Sequence, residues 1–341
     1  MQTPTAIESL QKLRDDDITV IPADNHLDGT VHQWSRRETD AITLALKARR
    51  PLLVRGEPGT GKSQLARAAA HVLGWMLHAE TISPRFEPSD LMYRFDAIKR
   101  LADAQTQRLQ EDCHYWEPGP LWKAFDWSGA HDYGGCRIEP KPAQPTGHIV
   151  LIDEIDKADS DLPNSLLEVL GQRSFRIPAL GLQIGTPSDR QPLILITTNE
   201  DRELPPAFMR RCVVLCLEPD PKLPYQNWLL KRGRAHFGEQ PSGTPGRLSE
   251  NVMKMAAEQL VMDRRNVVAA GLPPPGLAEY IDLLGALDEL APNDETAQID
   301  WLRKLNAYVY LKHPAPDQRS ELSQQRSPQA IPAALPDEPV P

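Results

Sequence analysis

The stretch "GEPGTGKS", residues 56–63, constrains the fold more than any other feature of this sequence. It matches G-x-x-x-x-G-K-[ST] in full, and it stands between the short apolar run "PLLVRG" and a helical pattern over residues 62–73. In a strand–loop–helix context, the glycines let backbone N–H groups face a phosphate, and the helix N-terminus adds a favourable partial charge. We therefore predict a phosphate-binding loop made of Gly56, Glu57, Pro58, Gly59, Thr60, Gly61, Lys62, Ser63 and Gln64.

Two residues of this loop have side chains suited to a nucleoside triphosphate with magnesium. Lys62 is expected to reach the β- and γ-phosphates, and the Ser63 hydroxyl is expected to ligate Mg²⁺. The phosphate loop does not contact the base, so the motif itself leaves ATP and GTP open.

Apolar runs that read as buried strands recur after the loop. They are "MLHAET" (76–81), "HIVLID" (148–153), "PLILITTN" (192–199) and "CVVLCL" (212–217), and helical patterns such as 158–171 separate most of them. Continuous apolar strands that alternate with helices predict an α/β fold with a parallel sheet covered on both faces.

Polar residues end two of these strands. Asp153 and Glu154 close "HIVLID", and a carboxylate pair at the tip of a buried strand is costly unless it serves a cation or a water molecule. With a phosphate loop upstream, Asp153 suits the Mg²⁺ shell and Glu154 suits the base that polarises an attacking water. Asn199 ends "PLILITTN", where its amide is predicted to orient that water and to sense the γ-phosphate.

Composition and pattern divide the chain into four parts. We predict an N-terminal extension over 1–34, a nucleotide-binding core over 35–220 and a helical domain over 221–313, with helices near 224–237, 248–264, 276–291 and 299–312. The proline-rich segment 314–341 is predicted to be a disordered tail. The N-terminus lacks a basic-then-apolar pattern and no run approaches the ~20 apolar residues of a membrane span, so we expect a cytoplasmic protein without a membrane span.

The order of these motifs over about residues 30–292 resembles the AAA+ ATPases, specifically the MoxR type. The regions around 51–70 and 149–178 resemble the Walker A and Walker B segments of that family, and "LILITTNEDRELPPAFMRRC" resembles sensor 1 followed by the arginine finger. "PGPLWKAF" (118–125) resembles the segment that follows the helix-2 insert of this clade, which places the insert within 83–130. Within the insert, "DAIKRLADAQTQRLQEDCHYW" (96–116) is predicted to project a helix towards a partner or the central pore.

The resemblance implies properties that the motifs alone do not give. The sheet order is expected to be 5-1-4-3-2, the helical domain to be the AAA+ lid, and the active form to be a hexameric homo-oligomeric ring. Arg211, or failing that Arg210, is expected to act as the arginine finger. Members use ATP and Mg²⁺ to remodel protein partners, often beside a protein with a von Willebrand factor A domain.

The sequence departs from the family at one position and leaves two alternative functions open. Pro275 stands where the family often has a sensor 2 arginine, and Arg264 or Arg265 would have to replace it unless both are solvated helix-end charges. A nucleic-acid-acting motor of the McrB type is one alternative, although the net charge of −9 makes a nucleic-acid partner unlikely. A nucleotide-dependent scaffold that does not hydrolyse is the other.

Overall fold

The computed structural model describes residues 4–23, 29–133, 142–159, 161–187, 191–239, 246–269 and 271–309. The predicted tail, 314–341, and the last three residues of the predicted helix 299–312 lie outside these residues. The chain divides into two compact units. The first comprises Met1–Gly56 with Gly61–Leu217, and the second comprises Glu57–Thr60 with Glu218–Pro341.

A parallel sheet forms the centre of the first unit. Its five strands, numbered here in chain order, are β1 (Leu52–Arg55), β2 (Met76–Thr81), β3 (His148–Asp153), β4 (Leu193–Thr198) and β5 (Val213–Cys216). Each neighbouring pair is parallel, and the spatial order is β5-β1-β4-β3-β2. The predicted α/β fold and its strand order, 5-1-4-3-2, are thereby confirmed.

Helices cover both faces of this sheet, and the strand sequences explain why. Side chains alternate between the two faces of a strand, so a strand covered on both sides is apolar throughout. Along β3, Val150 and Ile152 pack into one hydrophobic cluster while Ile149 and Leu151 pack into another. The first cluster contains the helices Pro120–Phe125 and Asp161–Gln172, and the second contains the helices Arg36–Ala48 and Lys62–Leu73.

The N-terminal segment adds to the second of these clusters. It consists of the helix Pro4–Lys12 and an antiparallel hairpin of Ile18–Ile21 with Thr30–Gln33. Leu10 of the helix is fully buried in the cluster, and Trp34, just after the hairpin, is 1% exposed. The segment that we set apart as an extension therefore shares its core with the sheet.

The region between β2 and β3 differs in detail from the sequence prediction. We predicted one helix from about residue 96 to residue 116, whereas the helix spans only Ala97–Gln105. It stands between the two strands of a short hairpin, Tyr93–Phe95 and Trp116–Pro118. Trp116 thus belongs to a strand, and together with the fully buried Trp122 it packs in the first cluster.

The second unit is helical after β5, as the sequence predicts. Its helices are Tyr225–Phe237, Glu250–Ala269, Leu277–Leu290 and Glu295–Val309. Buried apolar side chains from these helices form a separate core, centred on Leu229, Leu260 and Leu284. Pro275 lies two residues before the helix Leu277–Leu290, and the Glu279 carboxylate accepts the Gly276 N–H at the start of that helix. In the part of the chain that the structure describes, none of the helices is both long enough and apolar enough to cross a bilayer.

Candidate nucleotide site

The polar residues of the motifs meet at one edge of the sheet. β1, β4 and β3 are neighbours, and because they are parallel their carboxyl ends lie side by side. The phosphate loop follows β1, Asp153 ends β3, and Asn199 follows β4. Ligands of open parallel sheets bind at this edge, so the topology alone brings the predicted residues together.

The phosphate loop has the backbone that its glycines permit. Gly56, Gly59 and Gly61 all have positive φ angles, of 148°, 76° and 94°, which residues with a side chain rarely adopt. The loop leads into the helix Lys62–Leu73. Pro58 and Gly59 are exposed at the tip of the loop, and the Thr60 hydroxyl donates to the Glu57 carbonyl at 2.8 Å. This arrangement leaves a helix N-terminus at the end of a turn of glycines, which is the geometry of an anion site.

Lys62 is buried, with 7% of its surface exposed, and its ammonium group donates to the Gly56 carbonyl at 2.8 Å. Burial lowers the pKa of Lys62, and the carboxylates of Asp153 and Asp156 act in the opposite direction. A buried ammonium at the foot of a phosphate loop stabilises an anion more than an exposed one would, because little water screens it.

Asp153 is held by two hydroxyl groups. Ser63 Oγ lies 2.8 Å from each Asp153 carboxylate oxygen, and the Thr197 hydroxyl donates to Asp153 Oδ1. A serine hydroxyl beside a carboxylate is the oxygen donor set that Mg²⁺ prefers, so the residues present fit that ion. Sequence reasoning missed Thr197, which stands inside the apolar run "PLILITTN" and is fully buried in the structure.

Glu154 is held in an unusual backbone conformation. Its φ of 58° and ψ of 48° lie in the left-handed region, which costs a residue with a side chain about 1–3 kcal/mol. Its N–H donates to Thr197 Oγ1 at 2.9 Å, and its carboxylate oxygen Oε1 accepts the Asn199 side-chain amide at 3.1 Å. The predicted base and the predicted sensor residue are therefore in direct contact.

Arg210 and Arg211 lie on the surface of the first unit. They follow the short helix Pro206–Met209, which is anchored by Phe208 at 1% exposure. Both arginines are exposed, and the Arg211 guanidinium donates to the Ala207 carbonyl at 3.1 Å. Among the described residues, neither arginine forms an ion pair with a carboxylate. Among the described residues, no hydrogen bond joins either arginine to Asp153 or Glu154.

In the second unit, Arg264 contacts Glu57, a residue of the phosphate loop that belongs to the same unit. Its guanidinium forms two hydrogen bonds to the Glu57 carboxylate, at 2.7 and 2.9 Å, and a third to the Pro275 carbonyl at 2.9 Å. It also lies over the ring of Tyr225. Arg264 is thus not a solvated helix-end charge, whereas Arg265 is exposed.

The last residue of the predicted loop, Gln64, faces the interior. Its carbonyl oxygen accepts from the Arg67 guanidinium at 3.4 Å, and its buried Nε2 has no hydrogen-bond partner among the described residues. Gln64 therefore supports the loop helix from inside and shows no contact with Asp153 or Glu154.

Comparison with known proteins agrees with this geometry. Residues 51–212 match the model of the AAA domain, dynein-related subfamily. Midasin of Giardia intestinalis is 28% identical over 147 residues, which are 43% of this chain and 2% of midasin, so the chain spans a small fraction of that relative. A crystal structure described as a "putative ATPase" from Cytophaga hutchinsonii covers 96% of this chain and 94% of its own, with 13% identity and a TM-score of 0.40.

The matched residues contain the phosphate loop, Asp153, Glu154 and Asn199. Residues 51–212 are therefore similar to an AAA domain, the domain of the AAA+ class of P-loop ATPases, and ATP is the nucleotide that this similarity implies.

Proposed function

Starting from an AAA+ ATPase domain, we propose that this chain hydrolyses ATP with Mg²⁺ and uses the cycle to remodel or activate a protein partner, as MoxR-type ATPases do. Lys62 binds the β- and γ-phosphates, Ser63 and Asp153 hold Mg²⁺, and Glu154 takes a proton from the attacking water. When bound by Ser63 and Asp153, Mg²⁺ would supply positive charge for the phosphate oxygens. Asn199 places the water relative to the Glu154 carboxylate.

One observation carries this proposal: hydrogen bonds within the protein itself connect the candidate catalytic residues. Ser63, Asp153 and Thr197 form one chain of hydrogen bonds, and Thr197 and Asn199 bond to the backbone and side chain of Glu154. Groups fixed in this way lose little freedom when the reaction occurs, which is the basis of catalysis by preorganisation. A scaffold that binds nucleotide without hydrolysis would need Lys62 but would not need Glu154 held in a left-handed conformation.

We propose a ring, hexameric as in the MoxR type, in which each site is completed by a neighbouring subunit. Arg211 is the first choice for the residue that reaches the neighbour's γ-phosphate, and Arg210 is the second. The two exposed guanidinium groups support this, because an arginine without a carboxylate partner can bind phosphate oxygens with its planar fork. An arginine finger contributes about 10³–10⁵ in rate.

Domain roles follow the same proposal. Residues 35–220 act as the nucleotide-binding core, 221–313 as the lid, and the segment within 83–130 as the insert that meets the partner. Arg264 takes the place of the sensor 2 arginine that Pro275 replaces, and the hydrogen bonds from its Nη2 to both carboxylate oxygens of Glu57, a residue of the phosphate loop, support that assignment. A protein with a von Willebrand factor A domain is the partner we propose.

A nucleic-acid-acting motor of the McrB type is the second candidate. It would be distinguished by the nucleotide and by the activator, because such a motor would prefer GTP and respond to DNA. The net charge of −9 opposes a long phosphate-backbone interface.

The test is phosphate release from the purified chain with ATP or GTP, with and without Mg²⁺, and with and without duplex DNA. We expect release from ATP that stops when EDTA removes Mg²⁺ and that DNA leaves unchanged. A preference for GTP with stimulation by DNA would support the second candidate. The absence of release from either nucleotide would support the scaffold.

A further inference from the structure

A third carboxylate lies close to the candidate site, and no role has been assigned to it so far. Asp156 follows Glu154 by two residues in the short turn Ile155–Lys157, and only 2% of its surface is exposed. It acts electrostatically on Lys62. A buried negative charge beside a site for phosphate opposes anion binding, so the presence of Asp156 requires a compensating function.

The contacts of Asp156 point to the turn after β4. Its Oδ2 accepts the backbone N–H of Asn199 at 3.2 Å and that of Asp201 at 3.0 Å, and its Oδ1 lies 3.4 Å from the Asn199 nitrogen. One carboxylate oxygen therefore binds two N–H groups that lie two residues apart. Hydrogen bonds to an ionised acceptor are roughly twice as strong as those between neutral groups.

The turn that Asp156 binds is strained and needs such support. Glu200, between the two N–H donors, has a φ of 65°, a left-handed conformation in a residue with a side chain. Two contacts flank the carboxylate: Lys157 forms an ion pair with Asp201, and the Arg202 guanidinium donates to the Ala158 carbonyl at 3.1 Å. The segment after β3 is thus fastened to the segment after β4 at several points, and the buried point is Asp156.

We propose that Asp156 is a positioning residue for hydrolysis. By binding the N–H groups of Asn199 and Asp201 it fixes the turn from which the Asn199 amide reaches Glu154 Oε1 at 3.1 Å. The inference rests on the proposed function, because the value of that position lies in the water that Glu154 activates. Without Asp156 the turn relaxes, and the Asn199 amide no longer holds a single position relative to the base.

Asp156→Ala tests this inference against the parent, with Lys157→Ala as the matched control. Asp156→Ala removes the buried acceptor, whereas Lys157→Ala removes the solvent-exposed ion pair with Asp201 from the same turn. We expect kcat to fall on the order of 10²-fold in Asp156→Ala, the loss that a misplacement of about 1 Å causes, while the Kd for ATP does not rise, because a negative charge near Lys62 is removed. Lys157→Ala is expected to stay near the parental kcat.

Two further variants separate positioning from general damage. Asp156→Asn keeps a carbonyl oxygen that can accept both N–H groups, so it should recover most of kcat. Should Asp156→Ala not fold, Asp156→Leu, which fills a similar volume without an acceptor, takes its place in every comparison. The double variant Asp156→Ala with Asn199→Ala should have a kcat no lower than that of Asn199→Ala alone, because both changes remove the same contact. Losses that multiply in the double variant, or an unchanged kcat in Asp156→Ala, would overturn the inference.

A readout that is independent of activity keeps the inference separate from the proposed function. Hydrogen exchange at residue resolution should show the Asn199 and Asp201 amides protected in the parent and rapidly exchanging in Asp156→Ala. If the parent released no phosphate but this loss of protection occurred, the proposed function would fail while the contact of Asp156 with the turn stood. Equal protection in both proteins would contradict the inference, whether or not the parent hydrolyses ATP.

Discussion

Asp153 and Glu154 are adjacent in sequence, but their carboxyl groups face different partners. Asp153 is bound by the hydroxyl groups of Ser63 and Thr197, while Glu154 accepts from the Asn199 amide. Asp153 is the last residue of β3, and the left-handed conformation of Glu154 takes its side chain out of the regular alternation of that strand. The proposed division into a metal ligand and a base follows from this difference.

Substitution of Lys62 and of Glu154 should therefore affect different steps. We expect Lys62→Ala to abolish ATP binding, because Lys62 acts on the bound phosphates in the ground state. Glu154→Gln should bind ATP like the parent but lose about 10²–10⁴ in kcat, because the amide cannot accept the proton of the water. Fluorescent-nucleotide titration and phosphate release measure the two effects, and parental turnover in Glu154→Gln would show that another residue is the base.

A buried histidine pair should make the stability of the protein depend on pH. His78 Nε2 and His148 Nδ1 are 3.0 Å apart, and Trp127 packs against both rings. Burial lowers the pKa of His78 to about 3, with His148 and Lys123 adding to the effect, and burial lowers the pKa of His148 to about 4. Both rings are therefore neutral in the folded protein over a range in which unfolded histidine is protonated.

Because these pKa values are lowered on folding, their contribution to stability is present above pH 6.5 and is lost as the pH falls from 6.5 towards 4. The expected loss by pH 5 is on the order of 1–2 kcal/mol per histidine in the free energy of unfolding. Urea unfolding at several pH values measures it. His148→Gln should show a shallower pH dependence than the parent, and the exposed His71→Gln should show the parental one. Identical curves for the parent and His148→Gln would contradict the assignment.

At the level of whole elements, the sequence predicted the sheet well and the connections poorly. The central strands β1, β3 and β4 are apolar on both faces, so their runs stand out, and the ends of β1, β4 and β5 differ from the predicted runs by one residue. The region 96–116 is predicted as one helix, whereas the helix ends at Gln105 and Trp116 pairs with Phe95 in a short hairpin. Such pairing is not visible in local sequence.

The candidate site shows the same limit of prediction from local sequence. Lys62, Ser63, Asp153, Glu154 and Asn199 were predictable because each stands at a strand end or in a motif. Thr197 and Asp156 were not, since their contacts join segments 43–45 residues apart and depend on the strand order. Arg264 is a further case, because only the three-dimensional arrangement shows it bound to Glu57.

The helix Ala97–Gln105 should be dispensable for the fold and for basal hydrolysis. It contains no buried residue, and Ile98 and Leu101 are 84% and 60% exposed. Replacing it with a short Gly/Ser linker should change the free energy of unfolding by no more than about 0.5 kcal/mol and leave basal phosphate release intact. Stimulation by a partner protein should be lost.

A matched control for that replacement is Leu121→Ala, in the fully buried start of the helix Pro120–Phe125. It removes a core side chain and should cost about 2–5 kcal/mol. If the linker variant were as unstable as Leu121→Ala, the helix would be a structural element rather than a surface for a partner.

On the scale of the whole molecule, the first unit contains most of the proposed nucleotide site, and the proposal leaves one positive group to be supplied. Asp153, Asp156 and Glu154 act electrostatically on Lys62, and the chain as a whole carries a net charge of −9. The γ-phosphate of ATP brings further negative charge, and its transfer is fastest when another cation contacts it. The exposed Arg210 and Arg211 supply such a cation if subunits assemble into a ring.

Mixing two inactive variants tests this account most directly. Lys62→Ala subunits cannot bind ATP but retain Arg211, whereas Arg211→Ala subunits bind ATP but lack the finger. Each pure protein should be nearly inactive in phosphate release, and mixed rings should regain part of the parental rate, because an Arg211→Ala site then receives the arginine of a Lys62→Ala neighbour. No recovery in rings shown by native mass spectrometry to contain both variants would contradict a finger that acts between subunits.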